Sequence, residues 1–258
     1  ESRLTTPTTR EAGRAVATTW EAALAALGAA LRRYRPEEIG VLASPQMSNE
    51  DLFALKRLAD QLHLVNVDYR VPPAAPGDQD DFLIRADKNP NTRGAELIGL
   101  SPGTGGLDGA GMIAAAGAGR LKLLWIFHHD LSRSAWAPAQ VETALAKAET
   151  IVFQGTNANS TSAAAHLVLP SAAYVEREGT FTNFEGRVQR FRTALDALGE
   201  ARPDWEVFSG LAVLLGLPDP VLTSPRADQV FQGLAAAVPA YAGMSYRALG
   251  DGGRVAGS

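Results

Sequence analysis

The sequence predicts an α/β fold with a mainly parallel sheet and helices on both faces, on three observations. Short apolar runs alternate with helical repeats at βαβ spacing. Those runs are continuously apolar, as expected of strands buried on both faces. The 258 residues, 46% apolar and 20% charged, can bury a substantial core.

The elements follow in chain order. Thr19 is placed to cap a helix over 20–34, with Leu24, Leu27 and Leu31 at helical spacing and Pro36 as its stop. Residues 39–43 suit a buried strand. Ser48 starts a second helix, with Asp51 where a capping box usually has Glu or Gln. Leu52, Leu55, Leu58, Ala59 and Leu62 form its stripe, and 65–69 reads as the next strand. The stretch VPPAAPGDQDD (71–81) is a loop, and 82–106 stays irregular around Asn89–Pro90 and Ser101–Pro102. Then come a helix over 107–118, a strand over 121–127, a helix over 138–147 and a strand over 151–154. A helical turn at 160–165 leads to an edge strand at 167–169. Residues 180–192 form a hairpin or arm around Glu185–Gly186. Helices follow over 203–215 and from a Ser224 cap to Leu234. Residues 1–18 read as a linker, 218–249 as a helical extension and 250–258 as a disordered tail. No repeat of fixed period occurs.

Composition excludes several chemistries. With no cysteine, the chain forms no disulfide, Cys-ligated zinc site or Cys-ligated iron–sulfur cluster. A net charge of −4 with mixed signs argues against nucleic acid as a partner. No apolar run is long enough for a membrane-spanning helix, so no direct membrane insertion is expected. Beginning at Glu1 rather than Met, the sequence reads as a piece of a longer polypeptide.

The motifs divide into weak and informative ones. Gly109, Gly111 and Ala114 match G-x-G-x-x-A, but a loop precedes them where a dinucleotide fingerprint needs a strand. His128, His129 and Asp130 follow a strand end, where α/β sheets bind ligands. Adjacent histidines on extended chain point apart, so no metal site is expected. Ser160, Ser162 and His166 lack a nucleophile elbow. Arg85, Lys88 and Arg93 form either a polar turn or an anion-binding rim.

The most informative segment is LVLPSAAYVEREGTFTNFEGRVQ (167–189). Gly179 permits a positive-φ turn, and Asn183, Glu185 and Arg187 alternate along extended chain. Read from residue types, it is an arm pinned to its own domain by charge-assisted bonds. Together with RLTTP (3–7), LASPQMSNEDLFALKRLA (42–59) and ADKNPNTRGAELIG (86–99), it resembles the molybdopterin oxidoreductases. Within them it is most similar to the C-terminal region of the large iron–sulfur subunit of bacterial NADH–quinone oxidoreductase, respiratory complex I.

The resemblance implies a formate dehydrogenase-like α/β core over 19–217 with the C-terminal barrel absent. It implies a cofactor-free scaffold with no catalytic residue and no cofactor of its own. Electrons from NADH to quinone would pass through iron–sulfur clusters in an N-terminal part of the parent chain. Expected partners are that cluster domain and other hydrophilic subunits of complex I, in the cytoplasm and peripheral to the inner membrane. Trp136, Tyr174, Phe181 and Phe184 are candidates for such contacts. The alternative is an oxidoreductase module binding molybdopterin or a nucleotide beyond the strand ends, lined by His128, Asp130, Asn157, Asn183 and Arg187. An independent small-molecule binding protein is a third possibility.

Overall fold

A computed structural model describes residues 2–73, 75 and 77–257. Its main sheet has seven strands. They are β1 (Thr8–Glu11), β2 (Arg14–Ala17), β3 (Ile39–Leu42), β4 (Asn66–Asp68), β5 (Leu123–Phe127), β6 (Thr150–Gly155) and β7 (Leu167–Pro170), in the order β2-β1-β7-β6-β5-β3-β4. The five strands from β7 to β4 are mutually parallel. The β1–β2 hairpin adds antiparallel to β7.

Helices cover both faces, and the strands' side chains alternate between them as period two requires. On one face Val41, Leu123, Trp125, Phe127 and Val152 pack beneath α1 (Trp20–Arg33), α2 (Asn49–Gln61), α7 (Asp204–Leu215) and α8 (Ala227–Ala237). On the other, Leu42, Leu124, Ile126, Ile151 and Phe153 meet α4 (Gly109–Gly117) and α5 (Pro138–Lys147). Two short helices, α3 (Thr92–Ile98) and α6 (Ser160–Ala164), lie between strands. The arm forms a second sheet from β8 (Gly179–Thr182), β9 (Arg187–Phe191) and β10 (Arg254–Val255), and α9 (Tyr246–Leu249) precedes β10.

Several sequence expectations need correction. Residues 1–18 are not merely a linker: Thr8–Glu11 and Arg14–Ala17 form strands. Their exposed pattern gave no core signal. The hairpin covers the edge assigned from sequence to β7, which is therefore an interior strand. Within 82–106, Thr92–Ile98 is helical. At seven residues it is too short to display a stripe, and Asn91 anchors it through its side-chain amide to the Met47 carbonyl at 2.8 Å. The tail is ordered at Arg254–Val255, which pairs with β9, and Gly257 N–H donates to the Ala240 carbonyl. Backbone pairing holds it there, with Ala256 packed against the core. Ser224 does not cap α8: its hydroxyl donates to the Pro220 carbonyl, and the helix begins at Ala227. Gly179 does not take a positive φ. A Cβ there would lie 2.8 Å from the Phe191 ring and 3.0 Å from Glu50 Oε2, so close approach is what demands glycine.

The arm docks on the first turn of α2. Ser48 caps that helix, and Asp51 returns the bond to Ser48 N at 2.8 Å. Asp51 also takes the buried guanidinium of Arg177 and the Trp205 N–H at 3.0 Å. Glu50 accepts the Thr180 N–H at 2.8 Å and hydroxyls from Thr180 and Tyr246, both at 2.9 Å. Asn49 donates to Thr180 and Thr182. The pinned-arm expectation therefore holds, with α2 as the anchor.

Breaking one partner of a buried ion pair strands the other charge. Arg177→Ala is expected to cost about 3–5 kcal/mol in urea denaturation. A loss below about 1 kcal/mol, the scale of an exposed pair, would contradict the anchoring.

Burial pushes the Glu50 carboxyl up to about 7, partly opposed by the N–H and O–H groups of Thr180. A raised carboxyl costs stability as pH rises, because the folded state resists losing the proton. The cost begins above the unfolded value near 4.5 and is complete above about 7. Glu50→Gln is expected to remove a loss of about 3 kcal/mol between pH 4.5 and 7, followed by denaturation at stepped pH. An unchanged pH slope would contradict the assignment.

Candidate site at the carboxyl edge of the sheet

Along the parallel strands the order β4-β3-β5-β6-β7 reverses direction between β3 and β5. Such switch points open a crevice beyond the strands' carboxyl ends, where α/β folds bind ligands. Here the two flanking loops are tied together. His129 Nε2 donates to the Ala43 carbonyl at 2.9 Å. Burial lowers the pKa of His129 to about 4, so the ring is neutral at neutral pH and its proton sits on Nε2.

His128, in the left-handed region at φ 56°, turns the other way. Its Nε2 lies 2.8 Å from Asp204 Oδ2 at the start of α7. Asp204 Oδ1 accepts Gln154 Nε2 at 2.8 Å and the Ser171 hydroxyl at 2.5 Å. One buried carboxylate thus joins the ends of β5, β6 and β7 to α7. Burial pushes Asp204 up, but neighbouring His128, Arg177 and the Ser171 hydroxyl outweigh it and hold the carboxyl down at about 2. Gln154 Oε1 is buried with no hydrogen-bond partner among the described residues.

The five residues expected to line one cleft fall into two places. His128, Asp130 and Asn157 follow β5 and β6. Asp130 caps the turn Leu131–Arg133 and accepts the Ser160 hydroxyl. Asn157 bridges to Arg3. Asn183 and Arg187 lie instead at the β8–β9 turn. Asn183 Oδ1 accepts the N–H groups of Glu185 and Arg187 at 3.0 and 2.9 Å, and Arg187 Nη1 donates to the Gly252 carbonyl. The Arg85, Lys88 and Arg93 cations do not converge on one point. Arg85 stacks on Phe184, Lys88 binds the Asp78 carbonyl and Arg93 pairs with Glu96.

A cleft that the sequence reading missed opens at the end of β4. It encloses about 340 Å³ between Arg70, Val71, Pro72, Asp108, Ala110 and Trp136. Asp68, buried beneath it, holds Arg70 at 2.8 Å and accepts the Gly109 N–H at 2.9 Å. The guanidinium, more than half exposed, is therefore aimed by a carboxylate under it. Trp136 lies 3.1 Å from where a Gly109 Cβ would sit, so the glycine lets the indole close over the helix start. The only advance signal was an acid ending a strand, Asp68, with an arginine two residues on. Among the described residues, no group of three or more His, Asp or Glu is placed to hold a metal ion.

The molybdopterin oxidoreductase family model matches residues 3–82 and 91–213. The chain belongs to the molybdopterin oxidoreductase family. It is 43% identical over 110 residues to the alpha subunit of F420-dependent formate dehydrogenase 2 from Methanococcus maripaludis, covering 43% of this chain and 16% of that protein. It is 31% identical over 152 residues to a putative formate dehydrogenase of Staphylococcus haemolyticus, covering 59% and 15%. The chain thus spans about a sixth of these relatives. They are formate dehydrogenases rather than the complex I iron–sulfur subunit expected from the sequence. A solved structure, acetylene hydratase from Pelobacter acetylenicus, is similar at TM-score 0.45 and 15% identity, over 80% of this chain and 24% of that one.

The family implies an anionic, heterocycle-bearing molybdopterin cofactor, and the two edge sites differ in how they suit it. The Asp204 cluster is buried and its carboxylate is saturated by donors, so it does not suit an anion. The β4 cleft combines an aimed guanidinium, an aromatic face and the exposed Asp108 carboxylate. That donor set suits an anionic group joined to a hydrogen-bonding heterocycle.

A depressed carboxyl contributes stability above its unfolded value, near 3.8, that is lost as pH falls through about 2. His128→Gln removes a group that lowers Asp204. Its acid unfolding midpoint, followed by circular dichroism, is expected to rise by about 0.5–1 pH unit. No shift would contradict the coupling.

Proposed function

We propose that this chain is a cofactor-holding module of a formate dehydrogenase-type molybdopterin oxidoreductase. The β4 cleft would receive one anionic, heterocyclic end of the cofactor. The juxtaposition of Arg70, Trp136 and Asp108 above a buried Asp68 carries the reading. Arg70 would bind a phosphate oxygen through the guanidinium N–H groups that Asp68 leaves free. Trp136 would stack on the ring, and Asp108 would accept from ring N–H or ribose hydroxyl groups. When bound, the cofactor supplies the metal-centred redox chemistry that a chain without cysteine does not. This chain's part is to grip and orient.

A cofactor-free scaffold in a complex I-type NADH–quinone oxidoreductase is the second reading. What favours it is the arm, whose Arg177, Thr180 and Thr182 side chains are all spent on α2.

Trp136 is the one tryptophan that is not buried, so fluorescence separates the two readings. Titration with a purine nucleotide is expected to quench emission saturably. Trp136→Phe should abolish the quench, and Arg70→Gln should weaken binding by about 10-fold or more. No saturable quench would overturn the cofactor reading and leave the scaffold.

A further inference from the structure

A second depression lies between the arm and the C-terminal helices. It is a groove of about 550 Å³ between β9 and the helices α8 and α9. One wall, with Glu178, Arg190 and Arg192, lies inside the family match, which ends at residue 213. The other, with Arg226, Tyr246 and Arg247, lies beyond it. The groove shares no lining residue with the β4 cleft, and seven of its ten lining residues lie beyond the family match.

Its charge is unusual for a chain of net charge −4. Four arginines line it against two carboxylates, Glu178 and Asp228, an excess of two positive charges. The arginines differ in how they are held. Arg190 is clamped, with its guanidinium 4.4 Å over the Tyr246 ring and Nη2 2.7 Å from Glu178. Its Nε is buried and has no hydrogen-bond partner among the described residues. Arg226 is held by Asp228 on the same helix through two 2.8 Å bonds. Arg192 reaches only a loose 3.3 Å contact with Asp251, both side chains being exposed. Arg247 makes no ion pair among the described residues. The pattern is two held forks, aimed by carboxylates and an aromatic ring, beside two exposed ones.

We propose that this groove binds the phosphate group of a phosphorylated small molecule. A phosphate monoester is doubly anionic or nearly so at neutral pH, and the lining offers it more guanidinium than carboxylate groups. Planar guanidinium forks are the side chains that recognise phosphate through paired N–H donors. Gln232 and the Ser245 hydroxyl add neutral donors to the lining. Tyr246 closes the floor and is itself tied to Glu50 at 2.9 Å, so the groove is built on the same α2 anchor as the arm.

The test is calorimetric titration of the full chain with inorganic phosphate and with a sugar phosphate. Sodium chloride at equal ionic strength is the control. Saturable binding is expected, weakened about 10- to 100-fold in the Arg192→Gln/Arg247→Gln double variant. Both side chains lie on the surface, so the variant's thermal unfolding should match the parent and show that it folds. Heat matched by chloride, or binding unchanged in the double variant, would overturn the proposal. A flotation arm with vesicles bearing anionic phospholipid separates the sources of phosphate. Vesicle binding without any response to soluble phosphate would contradict a small-molecule ligand.

Discussion

The structure hangs on the first turn of α2. Three consecutive polar residues, Asn49, Glu50 and Asp51, are fully buried there. Each is satisfied by distant parts of the chain. Asn49 meets β8, Glu50 meets β8 and Tyr246 of α9, and Asp51 meets Arg177 and the backbone of α7. Buried polar groups are costly unless paired, so each contact specifies the position of its partner as well as stabilising it. The helix start also favours acidic side chains through its dipole. Removing this turn from its partners would release the arm, α7 and the C-terminal helices together.

Much of this was legible in the sequence. The Ser48 to Asp51 spacing announced the capped turn, and the apolar runs at 39–43, 121–127 and 151–154 announced the parallel centre of the sheet. The 180–192 stretch read correctly as a hairpin or arm. What stayed hidden were the features with little apolar patterning. The exposed β1–β2 hairpin and the two-residue β10 have no apolar alternation to reveal them. Helix α3 spans too few residues to show a period. The candidate site was less visible still. His128 and Asp130 were found because they end a strand. Asp204 opens a helix 76 residues from His128, and no local pattern ties the two together.

The carboxyl edge divides labour between two carboxylates. Asp204 is saturated and binds strands to helix, whereas Asp68, besides accepting the Gly109 N–H, aims Arg70 outward. Buried acids of similar appearance therefore serve opposite ends, one closing the switch-point side of the edge and the other preparing a surface cation. Both carboxylates lie within the family match, and the chain spans about a sixth of the formate dehydrogenase relatives named above.

Native-state hydrogen exchange on the Thr180, Thr182 and Trp205 amides tests the anchoring turn most directly. All three donate to side chains at the α2 anchor or its Asn91 neighbour. The account predicts that they exchange only through global unfolding, with the same free energy as the central Trp125 amide of β5. Exchange of the three through a local opening several kcal/mol cheaper than that of Trp125 would show that the arm and α7 detach without unfolding the sheet, and would contradict it.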